Sequence, residues 1–407
     1  MCLLSQPRTA RCTILKKLTN RSRDMLTLIK DGDVYDPRPL GRTSILLVDG
    51  KIGRIGNIDQ SAVEQSGLEV QVIEAEGCLV TPGLIDPHEH LLGGSGEAGF
   101  STQSPEIQLS EIVSAGITTV VGCLGVDTTM KTLPGLLAKV KGLCEQGLTA
   151  RMWTGGYNIP PTTLTGTVRN DILFVAEVIG CGEVAISDER STEPDPRELA
   201  RVVNDAHVGG KLSGKAGVTH FHVGDTERRL QCLREITDRR RFQTCAEWLY
   251  ATHVQRNEEL LLEAIDLAQQ GVNLDFDVVE RDLAKWLAFY CEHRGPADRL
   301  TVSSDASESS PRTLFDQLRS CVLEHGFDLA QILPFFTANT ARILQLRSKG
   351  SLEPEKDGDL LVLERETLEI REVIARGKRM VSEGELQVAE SFLQDSERSI
   401  ELHGQKN

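Results

Sequence analysis

The chain has 407 residues, a formal charge of −15, and 40% apolar against 26% charged residues. That length exceeds one small domain and suits a large α/β barrel with an accessory domain. The acidic balance disfavours nucleic acid or an anionic membrane surface as partner, and no apolar run approaches the ~18 residues that span a bilayer.

The first 24 residues hold six basic side chains and one acid, Asp24. Such a segment reads either as an organelle transit peptide or as an extension upstream of a natural start at Met25. From Met25 the chain is β-rich. MLTLIKDGDVYDP, TSILLVDGKIGRIG and VQVIEAEGCLVTPG are short apolar runs broken by Asp-Gly and Gly pairs. The same texture returns in GSLEPEKDGDLLVLERETLEIREVIARGKRMVSEGEL. Residues 25–80 and 350–390 are therefore expected to form one small β-sandwich domain from both chain ends, with 391–407 as a tail.

Between them, residues 81–349 alternate strand and helix, the mark of a parallel sheet. The strand runs are CLVTPGLIDPH, GITTVVGCLG, ARMWTGGY, GEVAISD, GVTHFHVG, YATHV, GVNLDFDV and DRLTVSSD. Helical patterns such as TLPGLLAKVKGLCEQG, RELARVVNDAHVGG and NEELLLEAIDLAQQG separate them. Eight strands with intervening helices predict a (β/α)8 TIM barrel. The alternative, an open doubly wound sheet, would offer no Gly-x-Gly-x-x-Gly turn. The ten cysteines are scattered without a Cys-x-x-Cys pair, as expected of reduced thiols in a compartment such as the cytoplasm.

Chemistry in such a barrel sits at the C-terminal ends of the strands. The polar residues there are His88 and His90 on the first strand, Glu183 on the fourth, His222 on the fifth, His253 on the sixth and Asp305 on the eighth. His88 and His90, two apart, point to one face of a strand, and imidazoles gathered there suit a borderline-soft divalent ion such as zinc. His207, His293 and His325 fall in helices or loops, and His403 in the tail.

PGLIDPHEHLLGGSGEAG, GITTVVGCLG, TGGYNIPPTTLTG, AISDERS, GVTHFHVGD, THVQRN and TVSSD together resemble the amidohydrolase superfamily. More closely, they resemble its isoaspartyl dipeptidase family (β-aspartyl peptidases, metallopeptidase family M38). The resemblance runs from about Met25 to Gly384. It implies zinc, two ions per chain, with His88 and His90 on the more buried ion and His222 and His253 on the more exposed one. It also implies hydrolysis of the isopeptide bond of a β-aspartyl dipeptide by a metal-activated hydroxide. Asp305 would be both ligand and general base, returning its proton to the leaving amine. Glu97 would pair with the substrate ammonium, Arg190 and Arg256 with its carboxylates, and Tyr157 with the carbonyl oxygen. Ser309 and the backbone near Ser95 would complete the pocket, and a homo-oligomer is expected.

Three positions depart from the family pattern. Glu183 stands where the family has a bridging carboxylated lysine, supplying the same carboxylate head on a shorter arm; it is read as the bridging ligand, with a single-metal or weakened site as the competing reading. Lys211 and Lys215, in a glycine-rich loop, are no substitute. Val126 replaces a threonine and Ser95 a glycine beside the aspartyl end of the substrate, where a lost hydroxyl donor costs on the order of 1 kcal/mol. Rival readings are hydrolysis of another amide, such as a cyclic ureide or an N-acyl amino acid, and an inactive scaffold with the same fold.

Overall fold

The computed structural model describes residues 25–394 and residue 396; the basic stretch 1–24 and most of the tail lie outside the described residues. Both chain ends contribute to a nine-stranded sheet. Its N-terminal strands are β1 (Met25–Tyr35), β2 (Pro39–Val48), β3 (Lys51–Gly56), β4 (Glu69–Glu74) and β5 (Cys78–Pro82). After the barrel strands β6–β13, the chain returns to it with β14 (Leu360–Glu364), β15 (Ile370–Ala375), β16 (Lys378–Ser382) and β17 (Glu385–Leu386). β14 lies antiparallel against β5, joining the two ends of the sequence.

The end sheet is continuous, and β1 is its fold line. The first half of β1 pairs with β4 and the second with β5, with a bulge between Ile29 and Gly32. A bulge adds an unpaired residue and bends the strand, so one strand serves two pairings. Ile29, Val34, Ile45, Ile52, Val362 and Ile374 form the core of this unit. The hairpin from β2 to β3 turns at Asp49 and Gly50, both left-handed at φ 50° and 75°. Two successive left-handed residues make the turn whose twist matches paired strands. Gly50 also packs against the β15–β16 turn, where a Cβ on Gly377 would stand 2.4 Å from its Cα.

The eight barrel strands are β6 (Leu84–Glu89), β7 (Ile117–Gly122), β8 (Thr149–Thr154), β9 (Val178–Ile186), β10 (Val218–Val223), β11 (Leu249–Thr252), β12 (Asn273–Asp277) and β13 (Leu300–Ser303). They pair in sequence order, all parallel. The ring closes where His90 N donates to Ala306 O (2.9 Å) and Asp305 N to His88 O (3.1 Å). The sequence run CLVTPGLIDPH, read above as one strand, is two. β5 belongs to the end sheet and β6 to the barrel, parted at Gly83, where Thr118 lies 2.3 Å from any added Cβ. Periodicity is blind to such a change of sheet, because both strands are wholly buried.

The helices begin and end on ordinary signals. Helix 196–213 starts with Asp195 accepting from the amides of Arg197 and Glu198, has Pro196 in its first turn, and ends at left-handed Gly214. Its buried face, with Leu199, Val202, Val203, Ala206 and Gly210, repeats at helical spacing. Inside the barrel, Trp153 donates through Nε1 to Pro87 O (3.0 Å), and His220 stacks on its indole at a ring distance of 5.1 Å. No helix among the described residues is long and apolar enough to cross a membrane.

Candidate metal centre and substrate cavity

β6 delivers His88 and, one residue past its end, His90. β9 supplies Glu183, β10 His222, the residue after β11 His253, and the loop after β13 Asp305. Their side chains converge at the C-terminal mouth. Glu183 is at the centre. Its Oε2 lies 3.3 Å from His88 Nε2, 3.2 Å from His222 Nδ1 and 3.9 Å from His253 Nε2, while Oε1 is 3.4 Å from His90 Nε2. Asp305 Oδ1 is 3.4 Å from His88 Nε2 and 3.1 Å from His90 Nε2, and its Oδ2 is 3.8 Å from His253 Nε2.

These residues fit divalent cations. Donor atoms of Glu183, His222 and His253 lie within 4.8 Å of one another, as do those of His88, His253 and Asp305. Both ring nitrogens of His88 and Oε1 of Glu183 are buried without a hydrogen-bond partner. Orphaned polar atoms of this kind are costly in an interior, and coordination would satisfy them. The electrostatics agree. Burial pushes the Glu183 carboxyl up, but His88 and His222 beside it hold it well below the usual carboxylate range. Asp305 is likewise lowered against its burial, chiefly by His88 and His90. Both carboxylates are held ionised.

The backbone is strained where it turns these side chains inward. His253 and Asp305 are left-handed at φ 61° and 47°, a conformation costing roughly 1–3 kcal/mol for a residue with a Cβ. His253 turns just after the β11 ladder has ended, and Asp305 is held in its turn by its N–H donating to His88 O (3.1 Å).

Further carboxylates, which the sequence reading passed over, orient two of the rings. Asp277 Oδ2 is 2.7 Å from His253 Nδ1 and also accepts from Gln255 Nε2 (2.7 Å). Asp188 Oδ2 is 3.0 Å from His222 Nε2. Each fixes the N–H on one nitrogen and leaves the other facing Glu183. Asp188 and Asp277 stand at the ends of β9 and β12, so the strand-end rule that selected the histidines would have selected them too. His220 was missed for another reason. It sits two residues before His222, deeper in the barrel, where burial and neighbouring His88 press its pKa well below the ordinary histidine value.

A cavity of about 470 Å³ opens over this cluster, lined among others by His90, Ser95, Val126, Tyr157, Arg256 and Asp305. Tyr157 is 5% exposed, with its hydroxyl 2.8 Å from His222 Nδ1. Burial and the Glu183 charge push its pKa well above 10, so it stays a donor. Arg190 is gripped by Asp188 through Nε (2.9 Å) and Nη2 (2.8 Å), and its Nη1 reaches Glu97 at 2.8 Å. Arg256 donates Nε to Val223 O (2.8 Å) and has no carboxylate partner among the described residues. Ser309 is not part of the lining; Ser307 and Glu308 form that wall, and the Ser309 hydroxyl is buried without a partner. Lys215 is far from the role of bridging ligand, since its Nζ donates to the carbonyls of Ile172, Val175 and Val178.

A closed parallel barrel with histidines and carboxylates converging at its C-terminal mouth defines a hydrolase of the amidohydrolase type. The amidohydrolase family model matches residues 293–381. The β-aspartyl dipeptidase of Fervidobacterium islandicum AW-1 superposes with a TM-score of 0.85 at 35% identity, covering 90% of this chain and 99% of that one. The same enzyme in complex with β-Asp-Leu gives 0.84 at 34% identity, with the same coverage. Among curated relatives, a Pelotomaculum thermopropionicum dihydroorotase is 30% identical over 169 residues, 40% of this chain and 35% of its own length. A Geobacillus stearothermophilus D-hydantoinase is 44% identical over 68 residues, 16% of this chain and 13% of its own length. The chain thus spans about a third or less of the length of these two curated relatives. It belongs to the amidohydrolase family and, within it, to the β-aspartyl dipeptidases.

Proposed function

We propose that this chain hydrolyses the isopeptide bond of β-aspartyl dipeptides at a centre that holds two zinc ions. His88, His90, Glu183 and Asp305 would hold the buried ion, and Glu183, His222 and His253 the outer one, with Glu183 bridging. When bound, such ions polarise a carbonyl and lower the pKa of water. The residues of the chain do the rest. Asp305, held ionised beside His88 and His90, takes the proton of the attacking water and passes it to the leaving amine. Tyr157 offers its hydroxyl to the carbonyl oxygen as negative charge develops there.

Recognition follows from the pairings in the cavity. Glu97 and Arg190 neutralise each other at 2.8 Å. A substrate carrying both an ammonium and a carboxylate replaces that pair with two, Glu97 on the ammonium and Arg190 on a carboxylate. Arg256 has its outer guanidinium nitrogens free of carboxylates for the second one, in the planar geometry that suits it. The reading rests on one observation: the Glu97–Arg190 pair, Arg256 and Tyr157 face the same cavity as the histidine–carboxylate cluster.

The test is turnover of β-Asp-Leu by zinc-loaded protein, beside dihydroorotate, a hydantoin and N-acetyl amino acids. Cleavage of β-Asp-Leu with the highest kcat/KM is expected. Faster opening of a cyclic ureide would move the chain to another branch of amide hydrolysis. Less than ~0.5 zinc per chain after metal-replete purification, with no turnover, would point to a scaffold; the two-ion reading expects about two.

A further inference from the structure

The structure assigns to Cys123 the orientation of His90 toward the buried ion, an inference that rests on the metal-centre reading above. Cys123 follows β7 directly and is 1% exposed. Its Sγ lies 3.7 Å from His90 Nδ1 and 3.6 Å from the carbonyl oxygen of Glu89. The other ring nitrogen of His90, Nε2, faces Glu183 and Asp305 at 3.4 and 3.1 Å. A neutral imidazole has one N–H and one lone pair. A lone pair presented at Nε2 therefore requires the proton on Nδ1, and that proton requires an acceptor.

Among the described residues the sulfur of Cys123 is the group paired with Nδ1. Donors and acceptors balance on this assignment: the thiol S–H points to Glu89 O, and the sulfur accepts from Nδ1–H. Gly125 closes on the same side of the ring, since a Cβ there would stand 2.9 Å from His90 Cε1 and 3.5 Å from Nδ1, which leaves no room for another side chain beside that nitrogen. The three rings are thus anchored by different acceptors. His253 has the Asp277 carboxylate, His222 the Asp188 carboxylate, and His90 a thiol. Sulfur is a weak acceptor, so His90 is the least polarised of the three donors.

Direct coordination by a Cys123 thiolate is the competing arrangement, because its sulfur lies within 4.8 Å of donor atoms of His88, His90 and Glu183. The pairing of Sγ with Nδ1 of His90, while Nε2 is the nitrogen that meets the carboxylates, favours orientation over ligation.

Two variants and one spectrum decide it. Metal-free wild type, Cys123→Ala and Cys123→Ser are titrated with zinc against a competing chelator, and cobalt-loaded wild type is examined by absorption. The Ala variant is expected to bind the tighter ion roughly 10- to 100-fold more weakly. The Ser variant should recover most of that, because a hydroxyl accepts the same N–H. Cobalt-loaded wild type should show no sulfur-to-cobalt charge-transfer band. Equal zinc affinity in wild type and the Ala variant overturns the assignment, and so does a sulfur-to-cobalt band. If the Ala variant does not fold, the spectrum and the Ser variant still decide. Failure of wild type to bind zinc or cobalt at all would refute the metal centre itself, a separate result.

Discussion

At the residue scale, the arrangement around Glu183 explains why a short carboxylate can serve four imidazoles at once. Its two oxygens face His88, His90 and His222 at 3.2–3.4 Å and His253 at 3.9 Å, and Gly125 leaves 3.5 Å between its would-be Cβ and Oε1. Replacing Glu183 with alanine removes the one side chain common to both halves of the centre. Zinc content measured after dialysis is expected to fall for both ions, not for one. Asp305→Asn keeps the shape of the side chain but removes its basicity. Its kcat/KM on β-Asp-Leu should drop about 10²–10⁴-fold, with zinc content less affected than in the Glu183 variant. Tyr157→Phe removes a hydroxyl donor aimed into the cavity. A loss of about 10²–10³ in kcat with little change in KM is the signature of a contact made in the transition state; a change in KM alone would assign Tyr157 to binding.

At the scale of elements, the join between barrel and end sheet depends on a buried cation. Lys349 is 5% exposed, and its Nζ lies 3.0 Å from Asp357 and 2.5 Å from Asp359. Asp357 also accepts from Ser348 Oγ (2.7 Å) and from Lys51 at 3.2 Å, tying the segment before β14 to the start of β3. Burial raises the Asp357 carboxyl, but Lys349, Ser348 and Lys51 together outweigh it and the net shift is downward. A carboxyl lowered by folding adds stability that is complete above its unfolded value, near 3.9. That contribution is lost as the pH falls through the folded value. Asp357→Asn should therefore flatten the acid limb of a Tm-against-pH curve while lowering Tm at neutral pH; an unchanged acid limb would show that Asp357 does not contribute. The same join was only half visible in the sequence. The Asp-Gly and Gly turns marked the hairpins, yet nothing in CLVTPGLIDPH signalled that the strand would leave one sheet and enter another at Gly83.

At the scale of the whole molecule, the proposed metal centre would couple ion binding to the fold. Its candidate ligands come from β6, β9, β10 and from the residues just after β11 and β13, so they converge only in the closed barrel, and an ion bound there would stabilise the native state by mass action. Zinc at 100 times its dissociation constant is worth about 2.7 kcal/mol, so chelation should lower Tm and zinc should restore it. Protons compete for the same nitrogens. Against the effect of burial, Glu183 and Asp305 raise the pKa of His88 well above the ordinary histidine value, and ligands bind metal deprotonated. Zinc affinity should therefore rise with pH through the neutral range; a flat profile would show that the rings do not exchange protons for metal.

Much of this protein is determined locally. The alternation of buried strands with capped helices specifies a parallel barrel, because period and turn chemistry act over a few residues. Strand-end placement then singles out His88, His90, Glu183, His222, His253 and Asp305. Other features were decided only by the tertiary structure. Asp188 and Asp277 stand at strand ends in the sequence and Cys123 just past one, but which imidazole each of them meets is decided only by strand pairing. Glu97 and Arg190, 93 residues apart, form a pair in the cavity, while Ser309 is not among the residues that line it. Hydrophobic period and turn residues are short-range signals, whereas which nitrogen faces which carboxylate depends on how eight strands close into a ring.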